Sequence, residues 1–336
     1  MVTIKEVAKK ANVSITTVSR VLNNYPIVNK ETKKRVLEAV EQLNYVPSII
    51  ARGMRNQRTR TVGIIIPDFR NLYYAEWITY AEIELKSKGY QPIIMTAKKE
   101  LEEDIAFINN IIKRRIDGII FCSYQEPTKF VKNIKKISNI PIVIMDQPKS
   151  NLPVSAVYSN TYKGFMKLTE YLISLGHRNI AMIKAPKGYA VGDNRFQGYL
   201  DCLKKNSILF NENLIEDADF TADAGYEAAK RLLKRTKPSA IIGVSDLVSI
   251  GAIAYILEAG YKIPEDIAIT GYDNISLSNF VTPKLTTVQE PIRDMAITAT
   301  EILLNRIEKK MKKNIEVVMD VELIIRESTV LKDNIK

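Results

Sequence analysis

Residues 3–25, TIKEVAKKANVSITTVSRVLNNY, read as a helix, a tight turn and a second helix. Ile4, Val7, Ala8 and Ala11 recur at i, i+3, i+4 and i+7, which lays one apolar stripe along a short first helix. Asn12 suits the turn because it tolerates a left-handed backbone, and Ser14 suits the N-cap of the next helix, where its hydroxyl takes up a free backbone N–H. From Ile15 the second helix turns Val18, Val21 and Leu22 inward and Thr16, Arg20 and Asn23 outward, with Ile15 at the exposed first turn. Such a tip offers hydroxyls, a guanidinium and an apolar chain. Arginine reads guanine acceptors in a major groove and an apolar group meets the thymine methyl. A solvated helical hairpin would show the same two stripes, and local charge weighs against it.

Residues 1–60 carry six lysines and six arginines against four glutamates, a net +8 of the chain's +11, which leaves +3 for the other 276 residues. Basicity concentrated in this way favours a polyanion partner, whose condensed counterions are released on binding. Asn29 fits the N-cap of a third helix with Val36, Val40 and Leu43 as its inner face, ending near Asn44 and Tyr45 before Pro47. In the segment YVPSIIARGMRNQRTRT that follows, Ser48 can cap a brief helix in which Ile50, Ala51 and Met54 cluster beside Arg52 and Arg55. A lone two-turn helix is unstable in water, and Gly53 costs it roughly 1 kcal/mol more than alanine would. It folds against a partner or stays a flexible linker.

From Thr61 short apolar runs alternate with amphipathic stretches: strands at 62–66, 92–95, 118–121 and 140–145, with helices starting near Leu72, Leu101 and Thr128. A second set of strands follows at 179–183, 214–220, 240–244 and 266–273. This alternation predicts two doubly wound parallel sheets covered on both faces. Cys122 and Cys202 sit in apolar runs and read as reduced core thiols. The start shows neither a signal peptide nor any span of about 18 apolar residues, so a cytoplasmic protein with no membrane partner is expected.

Enzyme signatures are missing: there is no phosphate loop, dinucleotide fingerprint or nucleophile elbow. The single histidine, His177, supplies no metal site and reads as a structural residue between a helix and a strand. No catalytic residue, metal or cofactor is expected. A binding cleft is better supported, because ligands of open α/β sheets sit beyond the carboxyl ends of the strands. Asp68, Asp146, Asp246 and Asp273 each follow a strand run, and Arg195 opens the helix-like segment NRFQGYL. Any one of these acids also serves as a helix cap, but together with Arg195 they describe a polar cleft able to pair with vicinal hydroxyls. Tyr73, Tyr74 and Trp77 at the start of one helix and Phe220 at the end of the 214–220 run offer ring faces for a sugar or a base. Trp77 serves core packing or a subunit surface equally well.

The opening TIKEVAKKANVSITTVSRVLNN, the segment YVPSIIARGM and the motifs NRFQGY and GYDN resemble the LacI/GalR family of bacterial transcription regulators along nearly the whole chain. The resemblance implies an all-α helix-turn-helix domain (1–46), a hinge helix and linker (47–60) and a periplasmic-binding-protein-like α/β domain (61–330). That domain would comprise two subdomains, 61–159 with 290–319 and 160–289 with 320–330. It implies a homodimer reading a palindromic double-stranded operator, and the final stretch STVLKDNIK, which shows no heptad segment, leads to the expectation of a dimer without a tetramerising C-terminal helix. DNA contacts are expected from Thr3, Ser14, Ile15, Thr16 and Thr17, and from Ser19, Arg20 and Asn23. The hinge would add Arg52, Arg55 and Met54, the last standing where the family has a leucine that wedges into the central base step. Asp273 and Arg195 match the most dependable effector contacts; Tyr73, Asp146, Phe220 and Asp246 match positions lining the same cleft, and Asp68 and Tyr74 complete the expected set. The implied function is a repressor of a carbohydrate-utilisation operon switched by a sugar or sugar derivative. The purine-binding branch, which keeps an aromatic pair like Tyr73 and Tyr74, is the rival ligand class; a sugar-binding transport protein is a more distant alternative.

Overall fold

The computed structural model describes residues 2–22, 25–45, 58–97, 105–145 and 152–330. The chain divides into two units, residues 1–59 and 60–336. The expected hinge segment with Arg52, Gly53, Met54 and Arg55 lies outside the described residues, as do Asn23, Leu101 and Asp146.

In the N-terminal unit α1 (Ile4–Ala11), α2 (Ile15–Leu22) and α3 (Lys30–Gln42) enclose a small core of Val7, Ala8, Ala11, Val18, Val21, Val36 and Ala39. The local chemistry follows the sequence closely. The backbone N–H of Thr3 donates to Glu6 Oε2 at 2.7 Å, and this bond holds the Glu6 carboxyl below its usual range. Asn12 ends α1 in the left-handed region at φ 50° and ψ 53°. Ser14 Oγ accepts from Thr17 N–H at 3.0 Å, and Asn29 Oδ1 accepts from Thr32 N–H at 2.8 Å. Both N-caps therefore form as the residue types predict.

The second unit holds two six-stranded sheets. The first has the order β11-β5-β4-β3-β1-β2, from β1 (Thr61–Ile66), β2 (Gln91–Thr96), β3 (Gly118–Phe121), β4 (Ile142–Ile144), β5 (Ser155–Ser159) and β11 (Glu316–Met319). Its pairs are parallel throughout. The helices α4 (Leu72–Ser87) and α11 (Ile292–Ile307) pack on one face of it, and α5 (Ile105–Lys113) and α6 (Thr128–Ile137) on the other. The second sheet runs β12-β10-β9-β8-β6-β7, from β6 (Ile180–Lys184), β7 (Ile215–Asp217), β8 (Ala240–Gly243), β9 (Ala268–Asp273), β10 (Thr286–Gln289) and β12 (Glu322–Ile324). Only the β10–β12 pair in it is antiparallel. Its faces are covered by α7 (Thr161–Ser174) with α8 (Ala190–Lys205), and by α9 (Ala222–Arg235) with α10 (Asp246–Glu258). The chain passes from the first sheet to the second between β5 and α7, returns between β10 and α11, and passes again between β11 and β12. No helix among the described residues is long and apolar enough to cross a membrane.

Several expectations change. The strand read at 214–220 covers only Ile215–Asp217, so Phe220 lies in the connection before α9. Arg195 does not open its helix. α8 begins at Ala190, and the position before it, Tyr189, makes no side-chain cap, which left that start without a signal. β5, β10, β11 and β12 were not foreseen. β10 carries Thr286 and Thr287, both fully buried but hydrogen-bonded, so its burial does not register as hydrophobicity.

Asp246 explains part of that burial and corrects its assignment to the effector. It is the first residue of α10, and Oδ2 accepts from Ile275 N–H at 2.9 Å and Ser278 Oγ at 2.5 Å while Oδ1 accepts from Thr287 Oγ1 at 2.5 Å. Sealed inside, it braces three segments of the second half.

Helices α9 and α10 approach backbone to backbone. A Cβ on Gly251 would lie 1.8 Å from the Ala222 carbonyl oxygen, and one on Gly225 would lie 2.0 Å from that of Val248. Gly251→Ala should therefore destabilise the protein by about 1–3 kcal/mol in urea titrations; unchanged stability would contradict this packing. A second test uses pH. Burial raises the Asp246 carboxyl to about 6, so the fold favours its protonated form. That contribution is present in full below about pH 4 and is lost as pH rises through about 6, a change of roughly 3 kcal/mol. Asp246→Asn removes the titration, so its stability relative to wild type should improve by that order between pH 4 and 7, on top of a constant offset. Parallel pH profiles would refute the assignment.

Candidate ligand cleft and helix-turn-helix surface

The ends of β3, β5, β9 and β10 and the second turn of α8 converge on a cleft between the two sheets of the second unit. At its centre Arg195 is buried. Its Nη1 donates to the Val244 carbonyl at 2.5 Å, and Nη2 lies 3.4 Å from Asp273 Oδ1 and 3.8 Å from Glu290 Oε1. Its Cζ sits 4.1 Å from the Tyr272 ring centroid, within cation–π range. Asp273 closes β9 with φ at 113°, a backbone conformation that side chains rarely adopt and that clusters at functional sites. Burial pushes its carboxyl well above the usual range, against the pull of Arg195. Glu290, immediately after β10, accepts from Ser159 Oγ at 2.6 Å. That bond ties the end of β5 to the end of β10, at two of the places where the chain changes sheets.

The aromatic lining joins the two halves. Tyr124, three residues beyond β3, stacks on Phe220 with centroids 4.7 Å apart and planes 10° apart, and on Tyr189 at 5.4 Å and 11°. Ala190 N–H also donates to the Tyr124 carbonyl at 3.0 Å. Asn71 caps α4 by accepting from Tyr73 N–H at 3.1 Å and turns its amide toward the Tyr124 hydroxyl at 3.3 Å. Tyr73 and Tyr74 meet edge to face at 5.2 Å rather than stacking. Trp77 is fully buried on the same wall, with Nε1 lacking a hydrogen-bond partner.

Of the residues singled out in the sequence, Tyr73, Tyr74, Arg195, Phe220 and Asp273 come together here. Asp68 does not. It binds Arg70 through Nε and Nη2 at 3.1 and 2.7 Å and accepts that residue's backbone N–H, a local turn beyond β1. Asp246 lies sealed behind the cleft. Tyr124 and Glu290 escaped the sequence reading. Tyr124 follows a recognised strand by three residues and was within reach of the strand-end rule; Glu290 was hidden because β10 was not recognised. His177 donates to or accepts from Ser239 Oγ at 3.0 Å, half-buried in the turn after α7.

In the N-terminal unit α2 presents two faces. Val18 and Val21 are buried, while Thr16, Arg20 and Ser14 are exposed and Ile15 is 43% exposed at the first turn. Thr17 and Ser19 are half-buried. Thr17 Oγ1 is hydrogen-bonded to Ser14 Oγ at 2.9 Å, so both hydroxyls also serve the cap. Thr3 is exposed at the start of α1.

A family model described as "Bacterial regulatory proteins, lacI family" matches residues 3–48, and one described as "Periplasmic binding protein-like domain" matches residues 169–329. The HTH-type transcriptional repressor PurR of Escherichia fergusonii is 33% identical over 330 residues, covering 98% of this chain and 97% of that protein. Among solved structures, a transcriptional regulator CelR–cellobiose complex is 27% identical with a TM-score of 0.75, covering 98% of this chain and all of its own. The Lac repressor dimer bound to operator and the anti-inducer ONPF shares the fold with a TM-score of 0.88 at 24% identity, covering 98% of this chain and 99% of its own. With a helix-turn-helix unit followed by a two-sheet α/β unit and a regulator 33% identical along nearly the whole of both chains, this chain is a DNA-binding transcription regulator of the lacI family.

Proposed function

We propose that the protein is a cytoplasmic, homodimeric repressor, not an enzyme, whose affinity for a palindromic operator is set by a small ligand held in the cleft between the two sheets. The observation that carries this reading is the pairing, in one chain, of an exposed Ile15–Thr16–Arg20 surface on α2 with a cleft built around Arg195 and Asp273. Carboxylate and guanidinium together match the paired donors and acceptors of a polyol, and the rings of Tyr124 and Phe220 supply a flat apolar wall. A sugar or sugar derivative is the preferred ligand, in keeping with the cellobiose held by one structural relative. A flat heterocycle such as a purine is the second reading, favoured by the near-parallel rings of Tyr124, Phe220 and Tyr189.

Ligand binding would reset how the two halves meet and so the spacing of the two reading helices in the dimer. Linkage requires operator and ligand to change each other's affinity by the same factor.

Two experiments test this. Arg20→Ala should weaken operator binding and relax discrimination at one base pair, by about 1–3 kcal/mol; an equal loss on every sequence would reduce Arg20 to a phosphate contact. A thermal-shift screen of sugars, sugar derivatives and purines, followed by operator-binding titrations with each hit, should yield a ligand that alters operator affinity. Asp273→Asn should abolish that response while retaining ligand-free operator binding, and an unaltered response in the variant would refute the cleft assignment.

A further inference from the structure

We propose that the ligand is a small polyhydroxylated molecule carrying a positively charged amine, and that Glu290 is the residue that selects for the amine. The proposal rests on the reading of the cleft as the effector site and assigns the chemistry of what enters it.

The charged residues among the cleft's described lining are Arg195, Asp273 and Glu290, each at most 5% exposed. Two carboxylates thus face one guanidinium. A single nitrogen, Nη2, lies within reach of both, while Nη1 is committed to the Val244 carbonyl. The other donors to Glu290 are the Ser159 and Tyr73 hydroxyls, which bring no charge. A buried carboxylate without a counter-charge is costly, so the described residues of the site are short of one positive charge. In the free protein the deficit appears as the upward push on the Asp273 carboxyl, to which Glu290 contributes. An ammonium group seated between Asp273 and Glu290 supplies the missing charge together with three donors.

The hydroxyls of the ligand follow from unmet donors in the same cleft. Trp77 Nε1 and Arg195 Nε are buried and have no hydrogen-bond partner, and both residues line the cleft. Buried donors left unmatched are rare and call for an acceptor. Ligand oxygens answer them, while the ammonium answers the carboxylates. A neutral sugar satisfies only the first demand.

The test uses the full-length protein and matched sugars: glucose with glucosamine, galactose with galactosamine, and mannose with mannosamine, with N-acetylglucosamine as a nitrogen-bearing but uncharged control. By calorimetry, at least one amine should bind about tenfold or more tighter than its neutral partner, the scale of one charge-assisted hydrogen bond gained; the acetylated control should behave as a neutral sugar. Glu290→Gln keeps the size and one acceptor, and should bring that preference down to about two- or threefold while neutral-sugar binding persists. A neutral sugar that binds as tightly as its amine, the absence of binding by every amine, or a preference untouched by Glu290→Gln would overturn the proposal. The wild-type comparison decides the matter even if the variant folds poorly. Failure of the cleft reading looks different: a ligand would bind wild type and Asp273→Asn with equal affinity.

Discussion

The guanidinium of Arg195 is the point on which the second unit is registered. α8 delivers it, the end of β8 supplies the Val244 carbonyl, β9 ends in Asp273 and β10 is followed by Glu290. Three strand ends of one sheet and a helix packed on it thus share a single buried cation, and the Ser159–Glu290 hydrogen bond extends the network to the other sheet. Removing one partner of a buried ion pair commonly costs about 3–5 kcal/mol because the survivors are left uncompensated. The strand ends are therefore fixed relative to one another more tightly than hydrophobic packing alone requires. A binding site made of strand ends inherits that fixity.

What the sequence made legible follows physical lines. The three N-terminal helices were readable because each boundary has its own chemistry: Ser14 and Asn29 as caps, Asn12 in the left-handed region, and a 3.6-residue apolar period between them. β1, β3, β6, β8 and β9 were readable as continuous apolar runs of fully covered strands. β10, β11 and β12 were not. Buried threonines and half-exposed edge residues do not register as apolar runs, and two of these strands lie at sheet edges. The crossings between sheets depend on which strands pair over long separations, which local pattern does not encode; only family resemblance suggested them.

The strand-end rule picked out Asp273, which lines the cleft, and also Asp68 and Asp246, whose carboxylates are engaged elsewhere. Both engagements share a cause. A carboxylate at a strand end satisfies a nearby donor whenever one exists, and here Arg70 and the Ile275–Ser278–Thr287 group arrive first. Only the three-dimensional arrangement reveals which acids remain facing open space. Glu290 was lost for the opposite reason, an informative residue attached to an unrecognised strand.

Tyr124 packs against one hydrophobic cluster from each sheet of the second unit, resting on one and stacked against the other. The ring acts as a resident competitor. An occupant that lies against Phe220 must first displace it or fit beside it, and each aromatic pair lost forfeits about 0.5–1.5 kcal/mol beyond simple burial. Measured affinity is then a difference between two occupants of the same wall. Selectivity at this position reflects how well a candidate molecule outperforms a tyrosine as much as how well it matches the polar groups opposite.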